Sequence, residues 1–72
     1  MPSAMPGCLT KLAQDALLAS PLMILRRLRV EQDDERIVIS GQVSSFYQKQ
    51  QAQEIVRAQI PGVVVVNEVE VA

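Results

Sequence analysis

The chain has 72 residues, a formal net charge of −1 and 49% hydrophobic residues, with one Phe, one Tyr and no Trp. A domain of this size buries only about 60% of the surface that its unfolded chain exposes, so the sequence predicts one small domain held together by aliphatic packing. The single cysteine, Cys8, excludes an internal disulfide, and a net charge of +3 over residues 1–30 against −4 over residues 31–72 disfavours a uniformly basic nucleic-acid binder.

Apolar residues at helical spacing predict a first helix over about residues 8–19. Ser20-Pro21 ends it, because proline has no N–H to donate and disfavours the helical conformation in the residue before it. Residues 1–8 are expected to form a flexible tail, and residues 9–72 a single domain. The apolar stripe of this helix consists of Leu9, Leu12, Ala13, Ala16 and Leu17.

Two alternating segments predict an antiparallel β-hairpin. The first runs over residues 22–32, with Leu28 and Val30 towards the core, although residues 22–25 also fit a helical turn. The second, Arg36 to Val43, alternates with the same period. Asp33-Asp34-Glu35 between them lacks the glycine that tight two-residue hairpins prefer, so a loop of three to five residues is predicted. The inward side chains of the second strand are Ile37, Ile39 and Val43.

A second helix and a last strand follow. Ser45 and Gln48 have the spacing of a capping box, in which each side chain satisfies a free backbone N–H of the other residue. Pro61-Gly62 ends the helix, and Val63 to Val71 is a strand with valines on both faces. The helix stripe is predicted to be Phe46, Ala52, Ile55, Val56, Gln59 and Ile60, and the outward face of the strand Val64, Val66, Glu68 and Glu70.

The order αββαβ predicts an α+β domain in which two helices pack on one face of a three-stranded mixed sheet. The strand–helix–strand segment requires the last two strands to be parallel, with a right-handed crossover. We expect the first strand to lie between them, antiparallel to both.

These motifs, in this order, resemble the BON domain, a family named for bacterial osmotic-shock and nodulation proteins. The resemblance covers about residue 9 to the end of the chain. It implies the same αββαβ fold and a non-catalytic binding module of bacterial envelope proteins that contacts phospholipid or other surfaces. The matching segments are Ala16-Leu17, Ser20-Pro21-Leu22, LRV at 28–30, IVISGQVSS at 37–45, Ala52 with Ile55, and PGVVVVNEVEV at 61–71.

Two departures from the family pattern concern the hairpin and the compartment. The family usually has a glycine in the turn where this chain has Asp33-Asp34-Glu35-Arg36. Envelope members usually carry an export signal, and these residues show neither such a signal nor a transmembrane run. The chain as given therefore fits the cytoplasm, whereas a domain excised from a longer protein would fit the cell envelope.

The residues that catalysis and metal binding require are missing. The chain has no histidine, and Cys8 has no base partner for nucleophilic chemistry. The three acids at 33–35 are consecutive loop residues, whereas a hard-cation site needs more oxygen ligands in a shaped loop. We therefore expect no enzyme activity, no cofactor and no metal, and a solvated turn at these acids.

Two surface clusters are the candidate sites. The first consists of Arg26, Arg27, Arg29 and Arg36, which could contact an anionic phospholipid surface. The alternative for these arginines is cross-strand pairing with Glu31, Glu68 and Glu70. The second cluster, Val38, Val64 and Val66, would form an apolar patch between charges on the open sheet face, and such patches mark interfaces.

The sequence favours a non-catalytic interaction module that associates with protein, either a partner or a second copy, through the open sheet face or an edge strand. Peripheral binding to anionic phospholipid is the alternative, and nucleic acid is disfavoured. Gly41 is either a place where a ligand approaches the backbone or a point of close packing, and the second interpretation is preferred.

Overall fold

The structure, a computed structural model, describes residues 6–72, with side chains from residue 9 onward. It confirms the αββαβ order. The expected tail of residues 1–8 falls mainly outside the described residues, and its flexibility stays a prediction. The elements are α1 at Pro6–Leu18, a 3-10 helix at Met23–Arg27, β1 at Arg29–Asp33, β2 at Arg36–Val43, α2 at Phe46–Gln59 and β3 at Val64–Val71.

The segment between α1 and β1 is helical where the longer alternating strand was predicted. The Oγ atom of Ser20 accepts a hydrogen bond from the Leu22 N–H at 3.1 Å, and the Leu25 N–H donates to the Leu22 carbonyl at 3.0 Å. The resulting 3-10 helix turns Leu25 inward, where it is fully buried. The strand β1 is therefore only 5 residues long.

The hairpin turn is tighter than the sequence predicts. Asp33 pairs with Arg36 in the antiparallel register, so Asp34-Glu35 alone connects the strands and the expected loop of three to five residues is wrong. Asp34 takes a positive φ of 64°, which a short polar side chain tolerates better than most. The Gln32 side chain donates to the Asp34 carbonyl at 3.0 Å, and this bond stabilises the turn.

The strand order is β1-β2-β3, with β2 in the centre. The expectation that β1 lies between the other two is wrong. β2 and β3 are each 8 residues long and pair in parallel along their whole length, from Arg36 with Val64 to Val43 with Val71. Because β3 occupies the free side of β2 along its whole length, β1 lies at the edge of the sheet. It is antiparallel to β2 alone, as the predicted hairpin requires.

Both helices pack against one face of the sheet and against each other. The predicted capping box is present: Ser45 Oγ accepts from the Gln48 N–H, and Gln48 Oε1 accepts from the Ser45 N–H, each at 3.2 Å. Phe46 does not join the stripe of α2, because its side chain is 71% exposed. The buried core consists of Ala13, Leu17, Leu25, Leu28, Ile37, Ile39, Val43, Ala52, Val56, Ile60 and Val69.

Gly41, in β2, lies directly against Leu28, the residue that precedes β1. A Cβ atom added to Gly41 would stand 2.8 Å from Leu28 Cδ2 and 3.5 Å from Leu28 Cα, and the backbone φ is +131°. Both the space and the backbone conformation therefore favour glycine. This contact agrees with the close-packing interpretation of Gly41.

We expect Gly41→Ala to lower the free energy of unfolding by at least about 2 kcal/mol, because strain and overpacking act together. Gly62→Ala is the matched control: its φ is +87°, but nothing lies within 4 Å of the added Cβ. It should cost about 1 kcal/mol from strain alone. Urea unfolding of both variants measures the difference, and equal losses would contradict the Leu28 contact as the cause.

Candidate functional site

The open face is the side of the sheet that α1 and α2 leave uncovered. The strand registers set its side chains in rows across β1, β2 and β3, because paired residues point to the same side of a sheet. One row is Asp33, Arg36 and Val64; the next is Glu31, Val38 and Val66; and the third is Arg29, Ser40 and Glu68.

The structure brings the three candidate valines together on this face. Val38 and Val66 are register partners on adjacent strands, and both are half-buried. Val64 is one row away and 59% exposed. We call these residues the valine patch. Asp33 and Glu31 stand at the β1 end of its two rows, and the next row has Arg29 and Glu68 at its ends, whereas Val64 and Val66 reach the β3 edge. The patch is therefore apolar up to that edge and bordered by charges elsewhere, and its role as an interface stays a prediction.

The four candidate arginines do not form one free cluster. Arg36 pairs with Asp33 at 3.0 Å across the hairpin turn, and Arg26 Nε donates to the Ser20 carbonyl at 2.9 Å. Arg27 and Arg29 are exposed. Within residues 9–72 the ion pairs join Arg36 to Asp33 and Lys11 to Asp15. The alternative cross-strand pairs with Glu31, Glu68 and Glu70 are therefore not formed.

The β3 strand has a free backbone edge beside the valine patch. The Ala72 N–H donates to the Val43 carbonyl at 2.9 Å. In a parallel strand, every second residue directs its backbone N–H and C=O groups to the same neighbouring strand. Because Ala72 bonds to β2, the backbone groups of the even-numbered residues of β3 also point to β2. The backbone N–H and C=O groups of Val65, Asn67 and Val69 consequently point away from the sheet.

Asn67 closes part of that edge. Its Nδ2 donates to the Lys49 carbonyl at 2.9 Å and to Gln53 Oε1 at 3.2 Å, which ties β3 to α2. Its Oδ1 accepts from the Val69 N–H at 3.2 Å, one of the outward-pointing groups. Sequence reasoning missed this residue; the available signal was a polar side chain at an inward position of a valine-rich strand.

A groove of about 710 Å³ lies at the start of β3. It runs between the C-terminal half of α2, including Gln53 and Arg57, and the segment Ile60 to Val65. Its walls contain no convergent set of catalytic groups. No cluster of three or more potential metal ligands occurs among the described residues. In that same part of the chain, no helix has the length and apolar character needed to cross a bilayer.

The fold and the surface define a small two-layer α+β domain with an uncovered sheet face. The sequence profile of the BON domain matches residues 9–72, and the chain belongs to the BON domain family. BON domains are generally non-catalytic binding modules, which places this chain in the class of interaction domains. A sequence comparison with curated proteins finds no significant match.

The side-chain amide of Asn67 should stabilise the contact of β3 with α2 and protect the Val69 N–H at the β3 edge. We expect Asn67→Ala to lower the free energy of unfolding by about 1–3 kcal/mol, because partly buried hydrogen-bond partners lose their bonds. The Val69 amide hydrogen should also exchange faster with solvent. Gln53→Ala is the control, since it removes one bond of Asn67 and leaves the Val69 contact intact. Equal exchange at Val69 in both variants would rule out the role of Asn67 at the edge.

Proposed function

We propose that this chain is a module that binds protein surfaces through the valine patch and the adjoining β3 edge. The observation that supports it most is the position of the patch. Val64 and Val66 belong to β3, so apolar side chains and unpaired backbone groups occur on one continuous surface. When a strand is added to a sheet edge, the main-chain hydrogen bonds contribute affinity and the side chains give specificity. An adjoining apolar patch adds surface of the kind that marks interfaces.

The charges around the patch suit a specific interface. Glu31 is exposed at the end of the row of Val38 and Val66, and Glu68 is exposed in the next row. Interfaces commonly have an apolar centre and a polar rim, where charges select among partners more than they add affinity. The other sheet face is already used by α1 and α2, so the open face is the sheet surface left for a partner.

The test measures self-association, since a second copy is a partner that can be supplied without knowing any other. Sedimentation from micromolar to near-millimolar concentration should show reversible association of the wild-type chain. Val66→Lys should shift it to monomer, because a charge then stands in the apolar contact. Leu18→Lys is the matched control on α1, where Leu18 is 51% exposed, and it should associate like the wild type. A strict monomer at all concentrations would count against self-association.

A second candidate function, peripheral binding to anionic phospholipid, is favoured by Arg27 and Arg29. Both residues are exposed, and neither forms an ion pair within the described residues. Each basic residue near an anionic surface contributes about 1 kcal/mol. Arg26 and Arg36 are already engaged with Ser20 and Asp33, so they contribute less.

Vesicle co-sedimentation tests this second candidate. The double variant Arg27→Gln/Arg29→Gln should weaken binding to anionic vesicles by roughly thirtyfold, from about 1 kcal/mol for each charge. Lys49→Gln/Arg57→Gln removes the same total charge from α2 and should bind like the wild type. Binding that is indifferent to anionic lipid content and to salt would remove this candidate.

A further inference from the structure

The outward backbone groups of β3 are not equally available. The Val63 N–H already donates to the Ile60 carbonyl at 3.2 Å, and the Val69 N–H donates to Asn67 Oδ1. Between these bonded positions, Val65 and Asn67 keep both outward N–H and C=O groups for a further strand. An incoming strand can therefore pair fully with β3 over this short central segment.

A second copy of the same strand fits this segment in one register. If β3 meets its mate antiparallel about a two-fold axis at Val66, Val65 stands opposite the mate's Asn67 and Asn67 opposite the mate's Val65. The outward N–H and C=O groups of Val65 and Asn67 are then all paired, since each such pair exchanges both of its backbone hydrogen bonds. An axis at Val65 or at Asn67 would set free groups against Val63 or Val69, whose N–H groups are already bonded.

The side chains of the open face agree with the same axis. Val66 meets Val66 of the mate, and Glu68 falls opposite Val64. The acids of the two copies stay apart, whereas an axis at Val69 would set Glu68 directly against Glu70, which is destabilising. The groove beside Val63, Val64 and Val65 lies where the C-terminal end of the mate's strand would be placed.

We propose that β3 pairs antiparallel with β3 of a second copy about a two-fold axis at Val66. The pairing joins the two three-stranded sheets into one, with all helices on the same side. A self-complementary contact of this kind closes as a dimer. The proposal rests on the proposed function and names its partner and register.

Disulfide trapping tests the register, in a Cys8→Ser background that leaves one cysteine for each variant. Residues at a non-hydrogen-bonded antiparallel pair have Cα atoms about 4.5 Å apart, which suits a disulfide. Val66→Cys should form covalent dimer on the order of tenfold faster than Val64→Cys, whose mate would lie about 13 Å along the strand. Gln50→Cys, on the exposed side of α2, measures random collision.

The trapping outcomes separate this proposal from the function it rests on. Fastest trapping at Val66→Cys supports the β3 pairing. Fastest trapping at Val38→Cys, in the central strand, indicates face-to-face contact; it overturns the pairing and leaves association through the open face intact. If no position traps faster than Gln50→Cys, both the pairing and self-association through this surface are overturned.

A charge test gives a second readout without oxidation. In the proposed register Val64 faces Glu68 of the mate, so Val64→Lys should lower the dissociation constant several-fold and Val64→Glu should raise it. Face-to-face packing of the valine patches predicts that either charge raises it. Sedimentation of the two variants distinguishes these results, and weaker association in both would overturn the pairing.

Discussion

The full-length parallel pairing of β2 with β3 is the constraint on which the rest of the molecule depends. It fixes which side chains of β2 enter the core, where Ile37, Ile39 and Val43 are buried. It also fixes which backbone groups of β3 are used internally and which face outward. The core and the candidate interface are therefore set by the same register, and a slip by one residue would exchange the two faces.

Asn67 takes part in both the helix–sheet contact and the candidate interface at the β3 edge. Its amide nitrogen donates to α2, and its amide oxygen accepts from the outward-pointing N–H of Val69 in the same strand. One side chain thus stabilises the helix–sheet contact and shortens the stretch of edge open to pairing. Exposed strand edges are sites of uncontrolled association, and natural proteins restrict them with such local devices.

The local elements could be predicted from the sequence because their signals are local. The capping box of Ser45 and Gln48 and the alternation of Ile37 and Ile39 depend on near neighbours in the chain. The strand order could not be predicted, since a hairpin and a right-handed crossover are compatible with β1 either at the edge or between the other two strands. Phe46 was misplaced because an apolar residue in the first turn fits the helical stripe whether or not the core reaches it.

The candidate site also has a part that the sequence could predict and a part that it could not. The valine patch follows from alternation and register, and the structure brings Val38, Val64 and Val66 to one face. The free arginines could not be separated from the engaged ones, because the bonds of Arg26 to Ser20 and of Arg36 to Asp33 depend on the 3-10 helix and the tight turn. Asn67 was overlooked because its partners lie on α2, more than ten residues earlier in the chain.

The other edge of the sheet, β1, also has a side-chain hydrogen bond from a helix beside it. The Gln14 side chain, on α1, donates to the Leu28 carbonyl at 2.9 Å, just before β1 begins. The two edges therefore differ: one is short and partly sealed by a helix, the other longer and open at its centre. Because the proposed β3 pairing would use the β3 edge of both copies, any further strand would have to add at the short β1 edge. A five-residue edge offers few backbone groups to such a strand, and short edge strands are one way in which natural proteins limit uncontrolled growth of a sheet.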